Sequence, residues 1–124
     1  MLQVVMPTIY VSDLDRAVKF YADTLGLKTA MHSPGHWATI TAADGTNIGL
    51  HPAGQRSPKP GANGATQVGF GVSQPIDAVV AELKSRGVQF YGPIVEDQAV
   101  RLAFLADPDG NSLYLCETRP YEAK

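Results

Sequence analysis

Val11-Ser12-Asp13-Leu14-Asp15-Arg16-Ala17-Val18-Lys19-Phe20-Tyr21-Ala22-Asp23-Thr24-Leu25-Gly26 has a counterpart 61 positions later. That counterpart is Val72-Ser73-Gln74-Pro75-Ile76-Asp77-Ala78-Val79-Val80-Ala81-Glu82-Leu83-Lys84-Ser85-Arg86-Gly87. Val, Ser, Ala, Val and Gly fall on the same five positions of both copies. Each copy reads as a strand end, a serine, a helix and a glycine, in that order. Leu14, Ala17, Val18, Tyr21 and Leu25 recur at helical spacing, as do Ile76, Val79, Val80 and Leu83. Ser12 and Ser73 are the expected N-caps, with Asp15 as the acidic member of a capping box. Pro75 suits a first turn, and Gly26 and Gly87 supply the stops. Such a repeated order is the mark of a duplicated module.

The flanking sequence completes both modules. Val4–Val11 alternates and is rich in β-branched residues, and Gln67–Val72 is its counterpart, so each reads as a strand leading into its helix. Three short strands are expected after each helix. In the first half they are Lys28–His32, His36–Thr41 and Asn47–His51; in the second they are Val88–Tyr91, Arg101–Ala106 and Ser112–Glu117. Ala43-Asp44-Gly45 and Asp107-Pro108-Asp109-Gly110-Asn111 make the hairpin turns. The expected class is α+β, with βαβββ written twice. The modules occupy 1–51 and 66–117 of a single domain, followed by a tail at 118–124. The Pro- and Gly-rich stretch 52–65 between them has no apolar period. A structureless loop of that length is a joint or a functional flap.

Strand alternation assigns side chains to two faces. One face is apolar and packs under the helices: Val5, Ile9, Val11, Ala38, Ile40, Ile48, Leu50, Val68, Phe70, Val72, Leu102, Phe104, Leu113 and Leu115. The other carries Met6, Thr8, Tyr10, Trp37, Thr39, Thr41, Asn47, Gly49, His51, Gln67, Gly69, Gly71, Arg101, Ala103, Ser112, Tyr114 and Cys116. It is either the wet side of a half-covered sheet or a concave pocket. Large rings beside strand glycines, with almost no charge, favour the pocket.

Composition excludes several functions. Ten Lys+Arg against twelve Asp+Glu leave a net charge of −2, which offers no basic surface for nucleic acid or an anionic membrane. No apolar run approaches the ~18 residues of a membrane span. The N-terminus lacks the pattern of a signal peptide, so a cytoplasmic location is expected. A lone cysteine, Cys116, excludes a disulfide framework and any multi-cysteine metal site.

The run Val11–Tyr21, ending in Leu25-Gly26-Leu27, resembles the first-module signature of the vicinal oxygen chelate superfamily. Asp107–Asn111 before Leu113-Tyr114-Leu115 is similar to its second-module signature. The family includes glyoxalase I, ring-cleaving dioxygenases, fosfomycin-modifying enzymes and bleomycin-type resistance proteins. The resemblance implies two four-stranded units curling into a cup, within a homodimer. In metal-dependent members, the first and last strands of each module each give one ligand. The positions matched by motif are Met6, Gly49, Gln67 and Tyr114. A thioether, no side chain, a neutral amide and a phenol do not make a divalent site.

Other donors add little. His51 lies two residues beyond a matched position, and His32 and His36 flank a turn. Neither arrangement converges with further donors, and no histidine is placed to activate Cys116. Arg101 either binds an acidic ligand group or pairs with Glu96 or Asp97. The resulting expectation is a metal-free, cofactor-free homodimer that sequesters a planar or aromatic small molecule. Tyr10, Trp37 and Tyr114 would stack on it. Asn47, His51, Gln67 and Arg101 would orient it, with Met6, Thr8, Thr39, Gly49, Gly69 and Gly71 completing the wall. The alternatives are a divalent-metal lyase, isomerase or dioxygenase of the same family, and an interaction module without a ligand.

Overall fold

The structure, a computed structural model, describes all residues except 2, 4, 5, 56, 58, 63–66, 98 and 119–124. The expected strand start at Val4 and Val5, the end of the 52–65 loop and most of the tail fall outside the described residues. The chain forms two compact units. The first comprises Met1–Asn63 with Asp107–Asn111, and the second Gly64–Ala106 with Ser112–Lys124.

The first unit runs β1 (Thr8–Val11), α1 (Leu14–Lys19), a single π-helical turn (Phe20–Thr24), β2 (Lys28–Ser33), β3 (Trp37–Thr41) and β4 (Asn47–Pro52). Its sheet order is β1-β4-β3-β2, with β1 parallel to β4 and the remaining pairs antiparallel. Leu14, Ala17, Val18 and Tyr21 pack onto the face that carries Ile9, Val11, Ala38, Ile40, Ile48 and Leu50, all of them buried. Burying each larger aliphatic side chain in this layer contributes roughly 1.5–3 kcal/mol. That is why the apolar stripe, and not helix propensity, holds so short a helix in place. Gly26, at φ +79°, ends the helical segment in the left-handed region, where a β-carbon is penalised.

The second unit runs β5 (Val68–Gly71), α2 (Ile76–Ser85), β6 (Phe90–Glu96), β7 (Val100–Ala106) and β8 (Ser112–Thr118). Its order, β5-β8-β7-β6, repeats that of the first unit, again with one parallel pair, β5 with β8. Ile76, Val80, Leu83, Val88, Ala103, Leu105, Leu113 and Leu115 form its core. The duplicated βαβββ expectation therefore holds element by element. No helix among the described residues is long and apolar enough to cross a membrane.

The structure corrects four details. Asp13, not Ser12, caps α1, accepting from the Arg16 backbone N–H at 3.1 Å. Ser12 is taken by a distant partner: its hydroxyl and its backbone N–H both donate to Asp109. Ser73 likewise caps nothing. Pro75 holds the N-cap position of α2, and the Ile76 N–H is met from β8 by a Glu117 carboxylate oxygen at 2.9 Å. The third difference is the expected strand at Val88–Tyr91, which begins instead at Phe90 and runs to Glu96, with an irregularity between Tyr91 and Val95.

The fourth correction concerns β7. Asp107–Asn111 form a five-residue turn that pairs Ala106 with Ser112, Leu105 with Leu113 and Ala103 with Leu115. Ala103 and Leu105, 2% and 1% exposed, therefore lie under α2, whereas Leu102 and Phe104 stand opposite Cys116 and Tyr114 on the other face. Because β7 beyond Arg101 is apolar at both parities, alternation alone does not set its register. The turn itself belongs to the first unit, not to the second module where its sequence position placed it. Asp107 accepts from Tyr21 Oη at 2.9 Å and from the backbone N–H groups of Asp109 and Asn111. Asn111 in turn donates to the Tyr10 carbonyl and accepts from the Gly61 N–H.

Candidate functional site

On the first sheet, the face away from α1 gathers Thr8, Tyr10, Trp37, Thr39, Thr41, Asn47, Gly49 and His51. The register explains this: Thr8 pairs with Gly49 and Tyr10 with His51 across β1 and β4, while Thr39 pairs with Gly49 and Thr41 with Asn47 across β3 and β4. His51 sits between two rings. Its centroid is 5.5 Å from Tyr10, tilted by 57°, and 6.1 Å from Trp37 in an edge-on arrangement. The Trp37 indole N–H donates to Thr39 Oγ1 at 2.8 Å, and Thr41 donates to Asn47 Oδ1 at 2.7 Å. These bonds hold the indole and the β3–β4 edge of the face in one conformation.

Gly49 makes that indole position possible. A β-carbon on Gly49 would stand 2.3 Å from Cη2 and 2.6 Å from Cζ2 of Trp37. The space read as room for a ligand is filled at this position by the protein's own ring. Beside the cluster, a depression of about 550 Å³ is lined by Tyr10, His51, Pro52, Gly54, Gln55 and Ser57. The beginning of the 52–65 loop therefore borders this open depression. Pro52, Gly54, Gln55 and Ser57 were not singled out from sequence. Only the loop's length pointed to them.

On the second sheet, the face away from α2 carries Gly69, Gly71, Leu102, Phe104, Tyr114 and Cys116. The Tyr114 ring covers Gly69, whose β-carbon would lie 2.2 Å from Tyr114 Cζ, while nothing stands within 4 Å of the same position on Gly71. Phe104, assigned from sequence to the buried side, lies here with its ring 6.3 Å from that of Tyr114. Counting back from the five-residue turn would have placed it correctly. Met6 and Gln67 precede β1 and β5 and belong to neither strand.

Arg101 does not belong to this face. It pairs with Glu117 on the helix side, and its guanidinium meets Asp77 of α2 at 2.8 Å, Glu96 at 2.9 Å and Glu117 at 3.8 Å. The Glu96 contact is an ion pair without the direction of a hydrogen bond. Hydrogen bonding to Arg101 holds the Asp77 carboxyl below its usual range, and the same bond, with the charges of Asp77, Glu96 and Glu117, raises Arg101. Of the two sequence readings of Arg101, pairing with Glu96 is the one found.

The positions matched to metal ligands do not suit an ion. Gly49 offers no donor, and Trp37 stands where its side chain would be. Tyr114 is turned over Gly69, Met6 has only a thioether, and Gln67 is exposed. Among the described residues, no three His, Cys, Asp or Glu side chains gather closely enough to hold a metal. His32 pairs instead with Asp15 at 3.1 Å.

No curated protein was found to match the sequence. Among solved structures, the chain is similar to TnmS3, an antibiotic-binding protein from Streptomyces sp. CB03234. The identity is 28% over 96% of this chain and 98% of that one, with a TM-score of 0.80. It is also similar to a glyoxalase/bleomycin resistance protein from the same strain, at 29% identity over 89% and 96% of the two chains and a TM-score of 0.72. A virulence protein from Salmonella typhimurium, STM3117, shares the fold with a TM-score of 0.77 at 22% identity, over 96% and 98%. The model of the Glyoxalase/Bleomycin resistance protein/Dioxygenase superfamily matches residues 3–115. With its two βαβββ units in the same order, the chain belongs to that superfamily.

Proposed function

We propose that the protein is a metal-free, homodimeric binder that sequesters a planar aromatic small molecule without transforming it. The observation that carries this reading is the ring cluster Tyr10–His51–Trp37, of which Tyr10 and His51 line the 550 Å³ depression. The Trp37 ring, seated over Gly49 and bonded to Thr39, presents a stacking surface with part of its ordering cost met before a ligand arrives. An antibiotic-binding relative at 28% identity points toward a drug-like ligand. The mismatch at Met6, Gly49, Gln67 and Tyr114 favours binding over metal-assisted chemistry.

Trp37 is the single tryptophan, so its emission reports on this face directly. A library of planar quinones and polyaromatic compounds should yield ligands that quench or shift that emission and raise Tm. Trp37→Ala should weaken each hit by more than about tenfold, since large rings dominate such interfaces, with unchanged circular dichroism. Protein purified without chelator should hold well under one equivalent of Zn, Ni, Mn or Fe. Stoichiometric metal lost on chelation, or a library without a single hit, would overturn the reading.

A further inference from the structure

We propose that His51 selects, among planar aromatic molecules, those that carry a hydrogen-bond donor, a phenolic hydroxyl above all. This rests on the aromatic-ligand reading and adds the polar half of recognition to it.

Nδ1 of His51 lies 2.7 Å from the Pro52 carbonyl oxygen. A carbonyl only accepts, so that bond requires the proton on Nδ1. In a neutral imidazole the remaining nitrogen, Nε2, is then a lone-pair acceptor. The backbone that imposes this tautomer is itself fixed. Pro52 pairs with Val11 in the β1–β4 ladder, and the next N–H, that of Ala53, donates to the Val11 carbonyl at 2.8 Å.

The other polar side chains at the depression, Ser57, Gln55 and Tyr10, are either already engaged or able to serve in both directions. The Ser57 hydroxyl accepts from the Gly54 N–H at 2.7 Å and donates to the Gly54 carbonyl at 2.9 Å, so its own proton is committed. The Gln55 amide offers both a donor and an acceptor and discriminates against neither. His51 Nε2 makes no hydrogen bond with any described side chain. A ring docked against Tyr10 or Trp37 lies beside the imidazole, because His51 stands between the two. A donor on that ring completes Nε2. An analogue lacking one leaves a desolvated acceptor unpaired, which is the physical basis of strong discrimination by polar sites.

The test compares 2-naphthol with 2-methoxynaphthalene, which share one ring system and differ in whether the oxygen carries a proton. Binding is measured by calorimetry and by the movement of Tyr10 and Trp37 resonances. Wild type should bind 2-naphthol about tenfold or more tightly than its ether. His51→Phe keeps a ring between Tyr10 and Trp37 but removes the acceptor. It should bind the two probes alike, at the affinity wild type shows for the ether. The wild-type comparison stands by itself should the variant fold poorly. Equal or reversed preference in wild type, or a preference that survives His51→Phe, overturns the role of His51 and leaves the aromatic reading standing. Failure of both probes to move Tyr10 or Trp37 overturns both.

Discussion

Tyr21 has no solvent exposure and donates its phenolic hydrogen to Asp107 at 2.9 Å. Burial first, and then the charge and hydrogen bond of Asp107, push its pKa far above the ordinary value of about 10. The native state therefore keeps a proton that the unfolded chain releases once the pH passes that ordinary value. Stability from this group is fully present below pH ~10 and declines as the pH rises beyond it. Tyr21→Phe removes one buried hydrogen bond and should cost about 1 kcal/mol at pH 8. The variant should also lose part of the alkaline fall. Urea midpoints at pH 8, 9, 10 and 11 for both proteins check the sign: a variant whose curve steepens above pH 10 would contradict it. At this scale the sequence was partly legible. Tyr21 was readable as a core position from helical spacing, but its partner lies 86 positions away, and no local pattern announces it.

Arg101 joins three elements of the second unit, β7, β8 and α2. Sequence alternation put it among ligand-binding residues, whereas the β7–β8 register ties it to α2 through Asp77 and to its neighbours through Glu96 and Glu117. Arg101→Met should consequently lower Tm by a few degrees and leave the affinity for any planar ligand unchanged. The Asp77 carboxyl, held low by Arg101, adds stability that is present above the ordinary carboxylate range and lost as pH falls below it. The fall in Tm should therefore shrink toward zero in strong acid. Loss of ligand affinity in Arg101→Met, with Tm unchanged, would restore the sequence reading. Strands polar on one side, such as β3 and β4, had their faces assigned correctly from alternation. β7 beyond Arg101 is apolar on both sides, and only the length of its turn fixes its parity. The helix caps show the same division. Gly26 and Gly87 were legible because a left-handed residue is a local requirement, while Ser12 and Ser73 misled because Asp109 arrives from a distant turn and Glu117 from a distant strand.

Duplication is the property of the whole chain that the sequence showed most plainly, since 61 positions separate two copies of one strand-helix signature. Less legible was the placement of Asp107–Asn111, which the chain reaches from the second sheet but which folds as part of the first unit. The duplication also leaves each sheet with a last strand of similar character. β2 is the final strand of the first sheet and exposes Met31 at 55%; β6 is the final strand of the second and exposes Tyr91 at 59% and Val95 at 45%. Apolar side chains on terminal strands invite pairing or coverage, and closed two-fold association is the commonest solution. Sedimentation equilibrium at micromolar concentration should accordingly show a dimer. The double change Tyr91→Glu with Val95→Glu places charge on β6 without touching a core residue. It should raise the dimer dissociation constant by about tenfold or more, corresponding to roughly 1.4 kcal/mol, while circular dichroism and Tm at low concentration stay near wild type. If the change leaves dissociation unaltered, β6 is not the covered strand, and Met31→Glu becomes the same test for β2. A wild-type monomer with no concentration dependence would remove the dimer from the proposal and leave the Tyr10–His51–Trp37 face to bind its ligand within a single chain.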